Sequence, residues 1–564
     1  MRQLTRDCKK VFLLSLVLVF GLEAGQAAPL QPASAHDTAS KNGASESLPA
    51  ALATGRKSLE KFDFRAASFA YSQILKGDPE NIEALLGLAE ACMELKDNKR
   101  AYELVAIASD RKPDFYRCQA LKARVLLGLG RRKEALSLAE TALKQAPKNA
   151  QALSEVRGIL GRAQYYCGIE PSLAFKTLES SLLPPPTRFH FRSLRTMALI
   201  KSNEKDWRQA IDLYKRASLV NDNDIDTYLT IGDLYKKLQD IKAAERAYLQ
   251  CSNKFKHSDK AWVKLGDLYY ECGRGKDETS QREAMNKGIA AYEQGKKAQP
   301  SSAEPWRQAS AVYLENGRLD QSVKEGRVAV NLAPKDAFAH YVLGVALMEK
   351  DMLEEAEEHL QKAFLFSHDY RKYSYLRELV HVLILNRKTD QALKITEDAL
   401  RTAPSNPYSQ SARAWALMCL KRYDEGFIIL RRLIASYPQE RAFRVDYMGG
   451  LYSSKRYGEC LKETRALLAL EPQNRSAWLC LLDVARATGD KKLAEEATGK
   501  LNKLPLDANT LTEVGFDAIN AGAANSSLPA FKRALELDPD SADLLLWSRD
   551  PDALPQNSKK KMMK

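Results

Sequence analysis

Long apolar runs are scarce in this chain of 564 residues; one uncharged run extends from Val11 to Leu22, and none of membrane-spanning length follows it. As a helix that run reaches only about 18 Å, against roughly 30 Å of bilayer hydrocarbon. Period-two alternation is confined to short stretches, which leaves no signal for a sheet architecture. Motifs that carry chemistry are also missing. There is no Gly-x-x-x-x-Gly-Lys-Ser/Thr phosphate loop, no Gly-x-Ser-x-Gly nucleophile turn and no Cys-x-x-Cys pair. The seven histidines are scattered and never form the His-Glu-x-x-His helix face that holds zinc beside a base. These absences argue against an enzyme and against a bound metal or cofactor.

The Val11–Leu22 run follows Arg2, Arg6, Lys9 and Lys10 and precedes Gly25-Gln26-Ala27, small residues suited to a cleavage site. This pattern reads as a secretory signal over residues 1–27, with cleavage expected over retention as an anchor. Cys8 precedes the run and so does not serve as a lipid-bearing cysteine. Residues 28–47, rich in Ala, Ser and Pro, offer little to bury and read as a disordered linker. An exported location is therefore expected: periplasm, cell envelope or extracellular space. Eight of the nine cysteines follow the leader. Cys92, Cys251 and Cys460 stand where comparable segments place Tyr, Ala or Leu, so burial as small apolar side chains is the expectation.

What is abundant is periodicity. Pro79, Pro113 and Pro147 stand 34 residues apart, as do Pro300 and Pro334, and again Pro404, Pro438 and Pro472. The segment from Ala303 to Asp336 has Trp306 fourth, Ala309 seventh, Tyr313 eleventh, Gly317 fifteenth, Ala329 twenty-seventh and Pro334 thirty-second. Segments from Asp259 and Ile225 repeat the scheme with Trp262, Gly266, Tyr269 and Gly273, and with Tyr228, Gly232, Tyr235, Ala244 and Tyr248. Apolar residues at the fourth, seventh and eleventh places form one stripe of a helix. Small residues such as Ala135, Ala142, Ala356 and Ala363 let a second helix approach closely, and proline then ends it. Trp262, Trp306 and Trp478 all take the fourth place, which reads as packing and not as ligand stacking.

This scheme resembles the tetratricopeptide repeat (TPR). The resemblance implies an all-α, right-handed superhelical solenoid of helix-turn-helix units. Continued through the chain, the register gives about fourteen units over residues 48–541, beginning near 48, 82, 116, 150, 191, 225, 259, 303, 337, 373, 407, 441, 475 and 508. It is irregular near 167–190, where Pro184-Pro185-Pro186 stiffens the chain. It carries an insertion near 274–287, expected in an inter-helix loop. Residues 542–564 read as a capping segment and a basic tail, with Asp543–Trp547 covering the last unit.

The resemblance further implies that first helices line a concave groove through their second, fifth, sixth, ninth, twelfth and thirteenth places. Those places mark Arg117, Arg124, Arg192, Arg195, Arg307, Arg377, His381 and Trp415 as candidate partner-binding residues. Arginines suit an acidic or carboxylate-bearing peptide, and pairing with Glu or Asp inside the array is the competing reading. The family's lysine–asparagine–arginine clamp for a C-terminal carboxylate is not found here. The formal net charge of +14 is moderate when spread over a long array. The leading expectation is an exported protein–protein interaction scaffold, catalysing nothing, with a protein or peptide partner. The alternative is an accessory subunit of an envelope polysaccharide-export or secretion machine; an anionic-polymer binder ranks lower, and nucleic acid is the weaker partner. Deleting Asp543–Trp547 is expected to lower stability and solubility, to be checked by denaturant unfolding of the shortened chain.

Overall fold

The computed structural model describes residues 47–537 apart from 184–186, 275–277, 369–370, 505 and 507. The expected leader, most of the linker, the Asp543–Trp547 cap and the basic tail lie outside the described residues. Among the described residues the secondary structure is helical throughout, arranged as consecutive helical hairpins. They fall into two compact units, residues 47–256 and 257–537. First helices begin at Leu48, Ile82, Tyr116, Ala150, Arg188 and Ile225 in the N-terminal unit. In the C-terminal unit they begin at Lys260, Glu304, Ala337, Lys372, Pro407, Arg441, Arg475 and Ala508.

Each hairpin turns through a short, repeated device. Lys96 takes a left-handed φ of 71°, the Asp97 amide donates back to the Cys92 carbonyl at 2.9 Å, and the Asp97 carboxylate then caps the next helix at the Arg100 amide. This closes one helix and opens the next within three residues. Gly130, Gly317 and Gly489 hold the same left-handed place, where glycine carries no steric cost. Phe62, Lys205, Gln239, Asp351, Arg387, Lys421 and Lys455 hold it as non-glycine residues.

Packing within a hairpin rests on a glycine in the first helix facing a large side chain from the second. A Cβ at Gly232 would stand 2.3 Å from the Tyr248 ring, and one at Gly266 would stand 2.4 Å from the Tyr292 ring. Both tyrosines are buried, and their hydroxyls donate to Asp233 and Asp267 at 2.6 and 2.7 Å. Ala135, Ala142, Ala356 and Ala363 are fully buried where helices cross, as their small size allows. In the C-terminal unit this packing forms one apolar cluster running from Ala311 to Ala534. Within each unit most successive first helices also touch one another, so neighbours bury what a single hairpin cannot.

The insertion departs from its expected place. Most of the surplus residues belong to the second helix Glu278–Ala298, 21 residues long where the corresponding Ile241–Lys254 has 14. Met285, Ala291 and Tyr292 are buried, and Gly273 leaves room for Ala284, so the extra turns pack along the first helix instead of looping out. The fourth hairpin is irregular in another way: its first helix runs to Tyr166, Gly168 turns at a φ of 76°, and its second helix, Pro171–Glu179, has only nine residues.

Two changes probe this packing in opposite directions. Gly232→Ala is expected to destabilise the N-terminal unit by about 1–3 kcal/mol, because the Tyr248 ring has no room to retreat. Lys96→Gly is expected to stabilise it by about 0.5–1 kcal/mol by removing a left-handed side-chain clash, offset in part by unfolded-state entropy. Urea unfolding monitored by circular dichroism reads both.

Candidate functional site

The first-helix face of the N-terminal unit curls inward. Arg192, on the helix Arg188–Asn203, donates from Nε to Glu94 Oε1 at 3.1 Å, and its Nη2 meets the other oxygen of the same carboxylate. Glu94 ends the helix Ile82–Glu94, three hairpins earlier. Arg188 pairs in the same way with Glu60 at 3.0 Å and with Glu90 at 2.9 Å. Only a concave face brings first helices so far apart in sequence into side-chain contact. The Phe62 ring, from a left-handed turn, meets Phe191 edge-on at 5.7 Å on the same side.

Between these helices stand Tyr116–Gly128 and Ala150–Tyr166, and together they build an arginine-rich surface. Arg124 donates to Glu90 at 2.9 Å and to Glu94 at 3.3 Å, and its side chain is only 7% exposed. Arg117 lies 3.9 Å from Glu155 and is 39% exposed. Arg195 reaches Asp224 at 3.2 Å, is 36% exposed, and lies over the Phe191 ring. Burial alone would raise the Glu90 carboxyl, but Arg124 and Arg188 hold it down at about 2. Glu155 has weaker help, and burial pushes it above the ordinary carboxylate range.

Arg162, in the last turn but one of Ala150–Tyr166, is half-buried on this face and has no hydrogen-bonded or ion-paired carboxylate among the described residues. Burial, and then the like charges of Arg192 and Arg124, pull its guanidinium down to about 9. A cation in such surroundings gains from any anion brought beside it. Arg162 takes the thirteenth place of its unit, a groove place, and was readable from the register although sequence reasoning left it out. Arg188 was not readable, because its helix starts three residues before the register does.

In the C-terminal unit the candidates are set deeper. Arg307 donates to Asp336 at 2.7 Å and also pairs with Glu304, with its side chain 17% exposed. Arg377, His381 and Trp415, given to the groove surface by their places, are packed between first helices and not presented to solvent. Arg377 donates to Asp446 at 2.9 Å, and Asp446 also accepts from the Ser411 hydroxyl at 2.7 Å. The His381 ring meets Trp415 edge-on at 6.0 Å. The physical reason is close spacing of the helices Lys372–Leu385, Pro407–Cys419 and Arg441–Ser453, whose apolar neighbours Leu376, Leu379 and Tyr447 leave little open surface. Beside Arg377 lies Glu378, whose carboxyl burial pushes up to about 8 despite Arg377.

The two faces define a class: a solenoid of helical hairpins that presents polar first-helix surfaces and packs apolar ones. Models of the tetratricopeptide repeat match residues 58–125, 121–156 and 225–253, so these stretches carry tetratricopeptide repeats. The human protein O-mannosyl-transferase TMTC3 is 25% identical over 208 residues, which is 37% of this chain and 22% of that protein's length. Among solved structures, yeast Tom70 is similar at 12% identity and a TM-score of 0.36, over 72% of this chain and 96% of that one. The Cut9–Hcn1 hetero-tetramer of the APC/C is similar at 14% and 0.38, over 89% and 96%.

The raised Glu378 carboxyl predicts a pH effect of definite sign. The folded chain keeps a proton up to about pH 8 that the unfolded chain releases near 4.5. Its stabilising contribution is therefore complete below about pH 4.5 and is lost as pH rises through about 8. Glu378→Gln is expected to match the parent protein in acid and to be more stable above pH 8, as read by thermal unfolding across that window.

Proposed function

We propose that this protein is a non-catalytic scaffold that holds an acidic segment of a partner protein on the first-helix face of its N-terminal unit. The observation that carries the reading is Arg162, a cation without a paired carboxylate among the described residues, on a concave face where Arg117, Arg124, Arg188 and Arg192 each have one. Arg117, Arg192 and Arg195 remain more than a third exposed and extend the same charge toward solvent. Arg124 and Arg188 are positioning residues that hold Glu90 and Glu94 in place. An entering carboxylate would take a charge-assisted hydrogen bond from Arg162, with Arg192 beside it to fix direction. The buried Arg377, His381 and Trp415 then serve the stiffness of the array and not contact with the partner.

Export belongs to the same reading, supported by the basic start, the Val11–Leu22 run and Gly25-Gln26-Ala27. N-terminal sequencing of protein recovered from an exporting host would find Ala28 first, whereas an intact Met1–Ala27 segment would overturn it. No transfer activity is assigned from a match that covers 22% of TMTC3.

A labelled oligo-glutamate peptide tests the binding site by fluorescence anisotropy, with an oligo-lysine peptide as control. The expected result is binding of oligo-glutamate alone, weakened by salt and at least about tenfold weaker in Arg162→Glu. Arg401→Glu, at a side chain 78% exposed in the other unit, should leave it unchanged. Equal loss in both variants, or no binding at all, would remove this face as an acidic-segment site.

A further inference from the structure

Cys460 and Cys480 are brought together by two different hairpins. Cys460 lies in the second helix Tyr457–Leu470, and Cys480 lies in the next first helix, Arg475–Thr488. Their sulfurs are 3.4 Å apart, and both side chains are buried. The Thr464 hydroxyl anchors the place, donating to the Cys460 carbonyl at 2.7 Å and standing 3.6 Å from the Cys480 sulfur. Nothing in the tetratricopeptide scheme asks for two thiols here, since equivalent places accept any small apolar residue.

We propose that Cys460 and Cys480 form a disulfide that staples the hairpin beginning at Arg441 to the one beginning at Arg475. The sulfurs need only close from contact to the roughly 2.05 Å of a covalent bond, a movement within reach of side-chain rotation. The oxidant is a small disulfide such as oxidised glutathione. The Cys460 thiolate attacks one of its sulfurs, forming a mixed disulfide and releasing one glutathione thiol. Cys480 then gives up its proton and attacks the Cys460 sulfur, closing the intramolecular bond and releasing the second glutathione thiol. Two protein thiols are oxidised, one small disulfide is reduced, and both protons leave on the released thiols. The hydrogen bond between the two sulfurs lowers the Cys460 thiol below its ordinary range, which suits it to attack first. Since both sulfurs are buried in the folded chain, the exchange takes place as the two hairpins dock or during their local opening.

The staple acts where a repeat array is weakest. Repeats are held by their neighbours alone, so hairpins can open locally, and a bond between Cys460 and Cys480 stops such opening at their junction. It also matches the oxidising setting that export implies, although the bond is tested without reference to location.

The test uses the full chain, refolded in a mixture of oxidised and reduced glutathione, alkylated without reduction, digested and mapped by mass spectrometry. The expected result is a Cys460–Cys480 cross-linked peptide, with both residues alkylated only after reductant is added. Thermal unfolding should then fall by several degrees on reduction in the parent protein and be insensitive to reductant in Cys480→Ala. Free, fully alkylated Cys460 and Cys480 under oxidising refolding, or either residue linked to a different cysteine, would overturn the proposal. That peptide map decides the matter on the parent chain even if Cys480→Ala folds poorly.

Discussion

The array depends on one steric constraint: a helix must present no side chain where its hairpin partner lays down a ring. Gly232 beneath Tyr248 and Gly266 beneath Tyr292 satisfy it directly, and Gly515 beneath Phe531 does so near the end of the described chain. With the ring seated, its hydroxyl reaches an acid on the first helix, as Tyr248 does to Asp233, and the two helices lock at a set depth. That depth fixes how closely successive first helices approach, and hence whether a polar residue on them faces solvent or is trapped.

The two units use that face differently. In the N-terminal unit the first helices set Arg124, Arg188 and Arg192 against Glu90 and Glu94, with Arg162 close to Arg124 and Arg192. In the C-terminal unit the first helices instead carry Tyr341, Tyr375, His381 and Trp415, buried and in ring contact, with the Arg377–Asp446 pair set among them. Such a pair is costly to break from one side, since either charge would be left alone in an apolar setting. A polar face suited to exchange and a closed face suited to rigidity follow from one register carrying different residues.

Fold and repeat type were legible because their signals are local. A glycine, a ring and a proline recur at set places, and each acts within its own hairpin. Placing Arg117, Arg192 and Arg195 on the inner face needed only the same register. The depth of Arg377, His381 and Trp415 was not legible, since it depends on the spacing between three first helices and not on the place of any one residue. The partnership of Arg192 with Glu94 was equally hidden, because no local pattern links side chains separated by 98 residues. The insertion was misplaced because a polar run reads as a loop, while Met285 and Tyr292 within and after it had enough apolar surface to hold a helix.

The Arg192–Glu94 contact also bears on the order in which the chain assembles. Most ion pairs between hairpins, such as Arg124 with Glu90 or Arg465 with Glu496, close over 34 and 31 residues, so they form wherever two neighbours meet. Closing 98 residues costs more chain entropy and waits until the intervening hairpins are ordered. A chain still emerging from the ribosome thus has Glu94 already in place beside Arg124 while Arg192 is yet to be made. The arginine face takes its final charge pattern only once the fifth hairpin has arrived, so a shortened N-terminal fragment would present a more acidic surface than the complete unit.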